Sequence, residues 1–334
     1  MALTASRWRC EEPEDFQVEE LPLYAPAGEG GHTFVRIEKR LRTTEEVARD
    51  LARAAGVRSA EVGYAGRKDR MAIATQWLSV PGLDPSRALA ISLPGVRVLE
   101  AVRHPHKLRT GQLRANRFSC LLRDLEDSRC DLVRERLRDA EERGLPNPFG
   151  AQRFGRDGDN VQRGLALLGE GRVSGGRRAA RFLVSAVQAA VFNDVLEARA
   201  QPLEAVETGD VALRHDSGGL FVVIDAALEA PRARAFEISA TGPIFGHKVL
   251  SPEGLPGELE RRVLASYGID PDALPRLPGV RLRGSRRAFR VRPQAPQVQR
   301  EGPHLRVDFT LLPGCYATLV LEALLGAHVL GGGE

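Results

Sequence analysis

Asp69 is the residue in this sequence whose surroundings most clearly suggest chemistry. It lies in the segment Arg67-Lys68-Asp69-Arg70, where three basic residues flank one carboxylate. Nearby positive charge favours the ionised form of a carboxylate, and an ionised carboxylate suits a nucleophile better than a general acid. The same spacing also describes a solvated turn between two strands, because charged residues that follow a glycine are common in turns. Both interpretations stay open on the local pattern.

A second unusual segment runs from Leu145 to Gly155. It combines two prolines and two glycines with the aromatic residues Phe149 and Phe154. Prolines and glycines at this density exclude a regular helix or a central strand, and phenylalanine is too large and apolar for an ordinary loop position. The segment predicts a shaped loop whose aromatic side chains either anchor it to the core or line a ligand site.

Hydrophobic periodicity predicts the elements that position these segments. Alternation predicts strands over residues 12–20 and 33–38, and the capping box of Thr43 with Glu46 predicts a helix that ends at Gly56. Later in the chain the pattern predicts strands within 95–122, 220–224 and 305–312. It predicts helices at 131–143 (capped by Ser128), 181–199, 259–267 and 315–329. It also predicts a boundary at 169–178, a loop at 242–248 and a linker at 294–299.

The length of 334 residues favours two domains. Strands followed by a helix occur at both ends of the chain, so we expect a domain that is interrupted in the middle and completed by the C-terminus. With 43% hydrophobic and 28% charged residues, the composition is that of a folded protein. No run approaches the roughly 18 apolar residues of a membrane helix, and no signal peptide is evident. We therefore expect a cytoplasmic protein without a membrane partner.

The cysteines and histidines do not predict a metal site. The four cysteines are scattered and the seven histidines have no ligand spacing with them. The basic residues are more informative, because residues 97–117 hold six Lys or Arg with one acid and residues 281–300 hold seven Arg with none. Such runs either neutralise the phosphates of a nucleic acid or form solvated faces.

Two stretches, Val62 to Arg70 and Asn147 to Gly155, together resemble the TruD family of tRNA pseudouridine synthases. Three further stretches fit in the same order, at residues 15–20, 107–118 and 313–318. The resemblance implies an α+β fold: a pseudouridine synthase catalytic domain (residues 1–170 and 293–334), with a mostly antiparallel or mixed sheet and flanking helices, interrupted by a smaller α+β insertion domain (residues 171–292).

The resemblance also implies an activity and the residues that carry it. The activity is isomerisation of a uridine at position 13, in the D arm of tRNA, without cofactor or metal. We also expect a monomer. Asp69 matches the catalytic aspartate, and Phe16, Asn147 and Tyr316 match residues of the uridine pocket. Tyr316 is a departure, since the family more often has phenylalanine there. Phe149 is a further candidate for stacking on the base. Glu20 either orients a cation or is a surface carboxylate at the end of a strand.

Several points stay open at this level. The cation that serves Asp69 is either a neighbour in sequence or a more distant arginine, in which case Lys68 is free to bind phosphate. The candidate RNA contacts are Lys107, Arg109, Arg114, Arg117 and Arg153. The sequence does not choose between attack on the sugar, attack on the base and elimination. The alternative function is a catalytically silent protein that binds tRNA with the same fold.

Overall fold

The computed structural model describes residues 8–155, 157–171 and 176–326. These residues form two compact units. We call residues 8–137 and 293–317 the sheet unit, and residues 138–292 and 318–326 the helix-rich unit. The division lies at residues 137 and 138, whereas the sequence predicts a domain boundary at residues 170 and 171. The predicted domain boundaries stay a prediction.

The elements are numbered in chain order. Up to residue 143 they are β1 (Phe16–Pro22), β2 (His32–Arg40), α1 (Thr44–Ala55), β3 (Gly63–Tyr64), β4 (Ile73–Pro81), α2 (Pro85–Leu89), β5 (Val96–His104), β6 (Leu113–Leu122) and α3 (Asp127–Arg143). The remainder comprises β7 (Leu145–Pro146), α4 (Asn160–Glu170), α5 (Arg177–Ala198), β8 (Val211–Arg214), β9 (Leu220–Val222), α6 (Ala226–Arg234), β10 (Ile238–Ile244), α7 (Gly254–Ser266), β11 (Ser285–Ala288), β12 (Arg290–Val291), β13 (Gln294–Glu301), β14 (His304–Leu311) and α8 (Ala317–Leu325).

An eight-stranded mixed sheet organises the sheet unit. Its order is β13-β14-β6-β1-β4-β2-β5, with β3 paired to β4. Strands β1 and β4 run parallel, and the other pairs are antiparallel. Strand β14 pairs with β6, so strands from the end of the chain complete a sheet that begins near residue 16. The predicted α+β fold class is confirmed.

Helix α1 covers one part of this sheet for reasons that the sequence contains. The Thr43 side chain accepts a hydrogen bond from the Glu46 amide at 3.2 Å, and the Glu46 carboxylate accepts one from the Thr43 amide at 2.8 Å. The predicted capping box is therefore confirmed, as is the end of the helix at Gly56. Val47 and Leu51 are buried against apolar residues of β2 and β4, which fixes the helix on the sheet.

The helix-rich unit has its own core. Helix α5 lies at its centre, in a buried cluster that includes Val187, Val191 and Phe192. Strands β11-β10-β8-β9 form a four-stranded sheet, and β12 pairs with β7. Among the described residues, α5 is the one helix long and apolar enough to cross a membrane, but 61% of its apolar window is buried inside the protein. Burial of this kind is typical of a helix in the core of a protein.

Three sequence predictions about elements are wrong. The expected linker at 294–299 is strand β13, which forms a hairpin with β14 at the edge of the sheet; its exposed side chains give little apolar signal. The expected loop at 242–248 begins inside the buried strand β10, where Gly242 and Pro243 pair with β11. Ser128 lies within α3 instead of capping it, because the Glu126 carbonyl already accepts helical bonds. The expected boundary at 169–178 includes residues 172–175, which lie outside the described residues.

We predict that Gly63→Ala destabilises the sheet unit. A Cβ at Gly63 would lie 2.2 Å from the Leu108 carbonyl oxygen and 2.5 Å from the Ser79 hydroxyl, so the backbone of β3 has to shift. Overpacking of this kind costs about 1–3 kcal/mol, measurable as a lower denaturation midpoint. Gly31→Ala is the control, since nothing lies within 4 Å of a Cβ there. Equal midpoints for the two variants would contradict the close approach.

Candidate active site

Asp69 lies in the loop that joins β3 to β4. Strand β4 is paired on one side with β1 and on the other with β2, so the loop arises from the middle of the sheet. Ile73, the first residue of β4, is paired with Gln17 of β1 and Arg40 of β2. The Asp69 side chain is exposed to solvent. The Asp69 carboxylate is thus accessible to solvent, whereas the end of its loop at Ile73 is held by strands on both sides.

The three basic residues that flank Asp69 are each paired with a glutamate from another element. The pairs are Arg67 with Glu45 at 2.6 Å, Lys68 with Glu20 at 2.7 Å, and Arg70 with Glu46. Two of these glutamates lie in the first turn of α1 and the third lies in β1. Sequence proximity therefore overstates the positive charge that is available to Asp69.

Lys39 is the cation that the sequence interpretation missed. Its side chain is fully buried, and its Nζ donates a hydrogen bond of 2.6 Å to the backbone carbonyl oxygen of Asp69. Burial lowers the pKa of Lys39 to about 8, although the nearby Asp69 carboxylate acts in the opposite direction. The signal in the sequence is a lysine in the same phase of β2 as the buried residues Val35 and Ile37.

Glu20 and Lys68 form a buried ion pair beside this loop. Their side chains are 1% and 6% exposed. Burial raises the pKa of Glu20, and the Lys68 ammonium opposes that rise. The amide of Lys68 donates to the Thr44 hydroxyl at 2.9 Å, and that hydroxyl donates to the Gln76 side chain at 2.8 Å. Both the side chain and the main chain of the residue before Asp69 are therefore fixed.

Phe16 and Tyr316 are the other predicted pocket residues of the sheet unit. Phe16 is 6% exposed, and its ring stacks on Phe118 with centroids 5.8 Å apart and touches Trp8 at 5.4 Å. The Phe16 ring is therefore packed among other aromatic rings. Tyr316 is half-buried in the turn between β14 and α8. The roles assigned to both residues stay predictions.

Asn147 and Phe149 belong to the helix-rich unit. Asn147 is buried, its Nδ2 donates to the Ala288 carbonyl at 3.0 Å, and its Oδ1 accepts from Arg287. The Arg287 guanidinium lies 4.3 Å from the centroid of the half-buried Phe149 ring. A hydrogen bond between Asn147 and a uracil would use its remaining N–H or the second lone pair of its Oδ1. Arg287, which belongs to the basic run at residues 281–300, contacts and orients both residues.

Comparisons with known proteins agree on one family. The family model described as tRNA pseudouridine synthase D (TruD) matches residues 8–169 and 176–324. A tRNA pseudouridine synthase D from Geobacter sulfurreducens is 37% identical, covering 94% of this chain and 93% of the relative. Another, from Anaeromyxobacter sp. (strain Fw109-5), is 44% identical, covering 94% and 91%. The chain belongs to the TruD family.

A solved structure adds support for the fold of this TruD family member. The crystal structure of a Methanosarcina mazei protein assigned to tRNA pseudouridine synthase D covers 95% of this chain and 93% of its own, with a TM-score of 0.72 at 21% identity. At that identity the likeness concerns the fold. The resemblance expected from the two loop motifs is confirmed, whereas the roles of individual site residues stay predictions.

The five predicted RNA contacts differ in how free their side chains are. Lys107 donates to the Ala60 carbonyl at 2.6 Å, Arg117 pairs with Glu19 at 3.2 Å, and Arg153 donates to the Ser185 hydroxyl at 3.3 Å. Arg109 and Arg114 are exposed. As RNA contacts, all five stay predictions. Within the described residues, no three His, Cys, Asp or Glu side chains cluster as metal ligands would, and the expected absence of a metal also stays a prediction.

We predict that Glu20→Gln strongly destabilises the protein. The substitution leaves the Lys68 ammonium buried without its counter-charge, which typically costs about 3–5 kcal/mol. The double variant Glu20→Leu/Lys68→Met should lose less than the single variant, because neither charge is then buried. Denaturation midpoints measure both effects. Glu14→Gln is the control for an exposed pair, since Glu14 and Arg40 are about half exposed. If E20Q unfolds at the midpoint of E14Q, the buried pair does not hold the loop.

Proposed function

We propose that this protein isomerises uridine to pseudouridine at position 13, in the D arm of tRNA, with Asp69 as the nucleophile and the target base flipped out of its stack. The observation that carries the proposal is the setting of Asp69. Its carboxylate is exposed on a loop fixed by the Glu20–Lys68 pair and by Lys39, in a chain of the TruD family. Such an arrangement combines access with fixed orientation, which a nucleophile requires.

The reaction breaks the carbon–nitrogen glycosidic bond, turns the uracil and rejoins it to the ribose through carbon. The substrate neither gains nor loses electrons, so the chemistry requires no redox cofactor. A carboxylate suffices in principle by attack on the sugar, by attack on the base or by promoting elimination at the sugar. In each route the ionised carboxylate of Asp69 is the reactive form, and it has to be held in place beside the substrate. Lys39 contributes to this positioning in the proposal, since its Nζ donates to the Asp69 main-chain carbonyl.

The target uridine has to leave the folded RNA before it can react. Unstacking and unpairing cost a few kcal/mol, which stacking on aromatic side chains and hydrogen bonds to the base edge offset. The half-buried rings of Phe149 and Tyr316 are the proposed stacking faces, and Asn147 is the proposed partner for the uracil edge. The rigid contacts of Asn147 and Phe149 with Arg287 favour this role, since preorganised groups lose little entropy on binding.

We predict that Asp69→Asn lowers the rate of pseudouridine formation by a factor of about a thousand or more, because the amide lacks the charge of the nucleophile. The exposed side chain is replaced by an isosteric one, so folding and the affinity for tRNA should stay within about twofold. Single-turnover assays with tRNA transcripts measure the rate, and filter binding measures the affinity.

Site-resolved pseudouridine mapping supplies the second arm of this experiment. Transcripts incubated with the wild-type protein should carry the modification at position 13, and transcripts with cytidine at that position should carry none. Substantial turnover by the D69N variant would rule out Asp69 as the nucleophile. Tight binding without any turnover by the wild type would instead favour the catalytically silent tRNA-binding protein.

We predict a decline in activity centred near pH 8. Lys39, with a pKa of about 8, is charged below that pH and loses its charge above it. Its hydrogen bond to the Asp69 carbonyl oxygen therefore loses its charge assistance as pH rises, and the loop is held less firmly. Lys39→Met should be slower at pH 7 by about 10- to 100-fold and should show no decline near pH 8. The measurement is the single-turnover rate between pH 6.5 and 9.5, with tRNA affinity measured over the same range as a control. A decline that persists in K39M would assign the titration to another group.

A further inference from the structure

A groove of about 560 Å³ lies in the helix-rich unit, outside the residues assigned so far. Its polar lining comes from two segments of chain and consists of His247 and the cationic side chains of Lys248, Arg276, Arg281 and Arg283. All five are exposed. Its apolar lining consists of Leu277, Val280 and Leu282, which are 6%, 7% and 4% exposed. The groove therefore has an apolar floor and a cationic rim.

Backbone contacts hold the two segments of the groove together. The amide of His247 donates to the Leu282 carbonyl and that of Lys248 to the Arg283 carbonyl, both at 2.9 Å. Gly246 permits this approach, because a Cβ there would lie 2.3 Å from the Gly284 nitrogen. The positive charges are thus brought together by the main chain, independently of anything that their side chains bind.

The second side of the groove is also anchored. Arg181 of α5 donates to the Gly279 carbonyl at 3.2 Å, which ties the loop between residues 276 and 283 to the central helix of the unit. A groove between fixed walls changes little when a ligand enters. Its charges are therefore preorganised for an anion that approaches from solvent.

The charge of the groove is not compensated within the protein. In residues 8–155, 157–171 and 176–326, no ion pair engages any of its four Lys and Arg side chains. Arg286, only three residues beyond Arg283, contrasts with them: its side chain is 1% exposed and pairs with Glu260 at 2.6 Å. Like charges held together repel each other unless an anion joins them. The ligand that fits is therefore a polyanion with apolar surface between its charges.

We propose that this groove binds the sugar–phosphate backbone of the tRNA substrate, with phosphates on the basic rim and a ribose or base face on the floor of Leu277, Val280 and Leu282. The choice of tRNA as the polyanion rests on the proposed function. The groove is a binding site for the body of the RNA, additional to the contacts assigned to the reacting uridine. Arg281 and Arg283 lie two residues apart, and the Lys248 amide donates to the Arg283 carbonyl. The basic rim therefore contacts more than one phosphate of a single RNA strand.

Charge reversal in the full-length protein tests the groove. The variant R281E/R283E should raise the Kd for tRNA by about tenfold or more at low salt, and the slope of log K against log salt should become shallower by about one to two. The control R234E/R262E makes the same change of formal charge at exposed arginines of α6 and α7 in the same unit. Its Kd should change by less than about threefold.

A second variant, K248A/R276A, removes charge from the groove without adding any, and its Kd should rise by about three- to fivefold. The KM of both groove variants should rise with the Kd. If both variants bind tRNA as tightly as the control, or if the control weakens as much as they do, the groove is not the RNA site. Binding is measured without turnover, so an inactive wild-type protein would contradict the proposed function and leave this comparison decisive.

Discussion

The buried ion pair between Glu20 and Lys68 is the interaction on which the Asp69 loop depends. Removing two charges from water costs several kcal/mol per ion, and only close geometry with further hydrogen bonds repays it. Here the charges are 2.7 Å apart, and the Lys68 amide is bound to Thr44 as well. A displacement of the loop would separate the charges and leave each of them buried. The pair therefore keeps the backbone next to the exposed Asp69 carboxylate rigid.

This rigidity has a consequence for how charge is distributed around Asp69. Arg67, Lys68 and Arg70 are paired with glutamates of β1 and α1, so these cations attach the loop to the sheet and to the helix. The cation that contacts the loop from within is Lys39, and it belongs to a strand whose pairing with β4 brings it under Asp69. Burial makes its charge sensitive to pH near neutrality, unlike that of an exposed lysine. Structural and electrostatic support for the carboxylate thus come from different residues.

Local signals predicted well wherever the residue types themselves specify the structure. The capping box at Thr43, the alternation of β2 and β14, and the two loop motifs all describe what the structure contains. The failures arise where tertiary pairing overrides the local pattern. Strand β13 is an exposed edge strand that forms by pairing with β14, and β10 includes Gly242 and Pro243 because they pair with β11. Lys39 was missed for the same reason, since only the sheet brings residue 39 to residue 69.

The arginine-rich run at residues 281–300 shows why charge counts mislead without structure. Arg290 is 1% exposed and donates to backbone carbonyls, including those of Ala233 and Ile238, while Arg286 pairs with Glu260. These arginines stabilise the interior and are unavailable to any ligand. Arg281 and Arg283 face the groove and have no such partner among the described residues. A polyanion would therefore contact Arg281 and Arg283, whose charge is not compensated within the described residues. Its affinity should depend on these side chains and not on the total number of arginines.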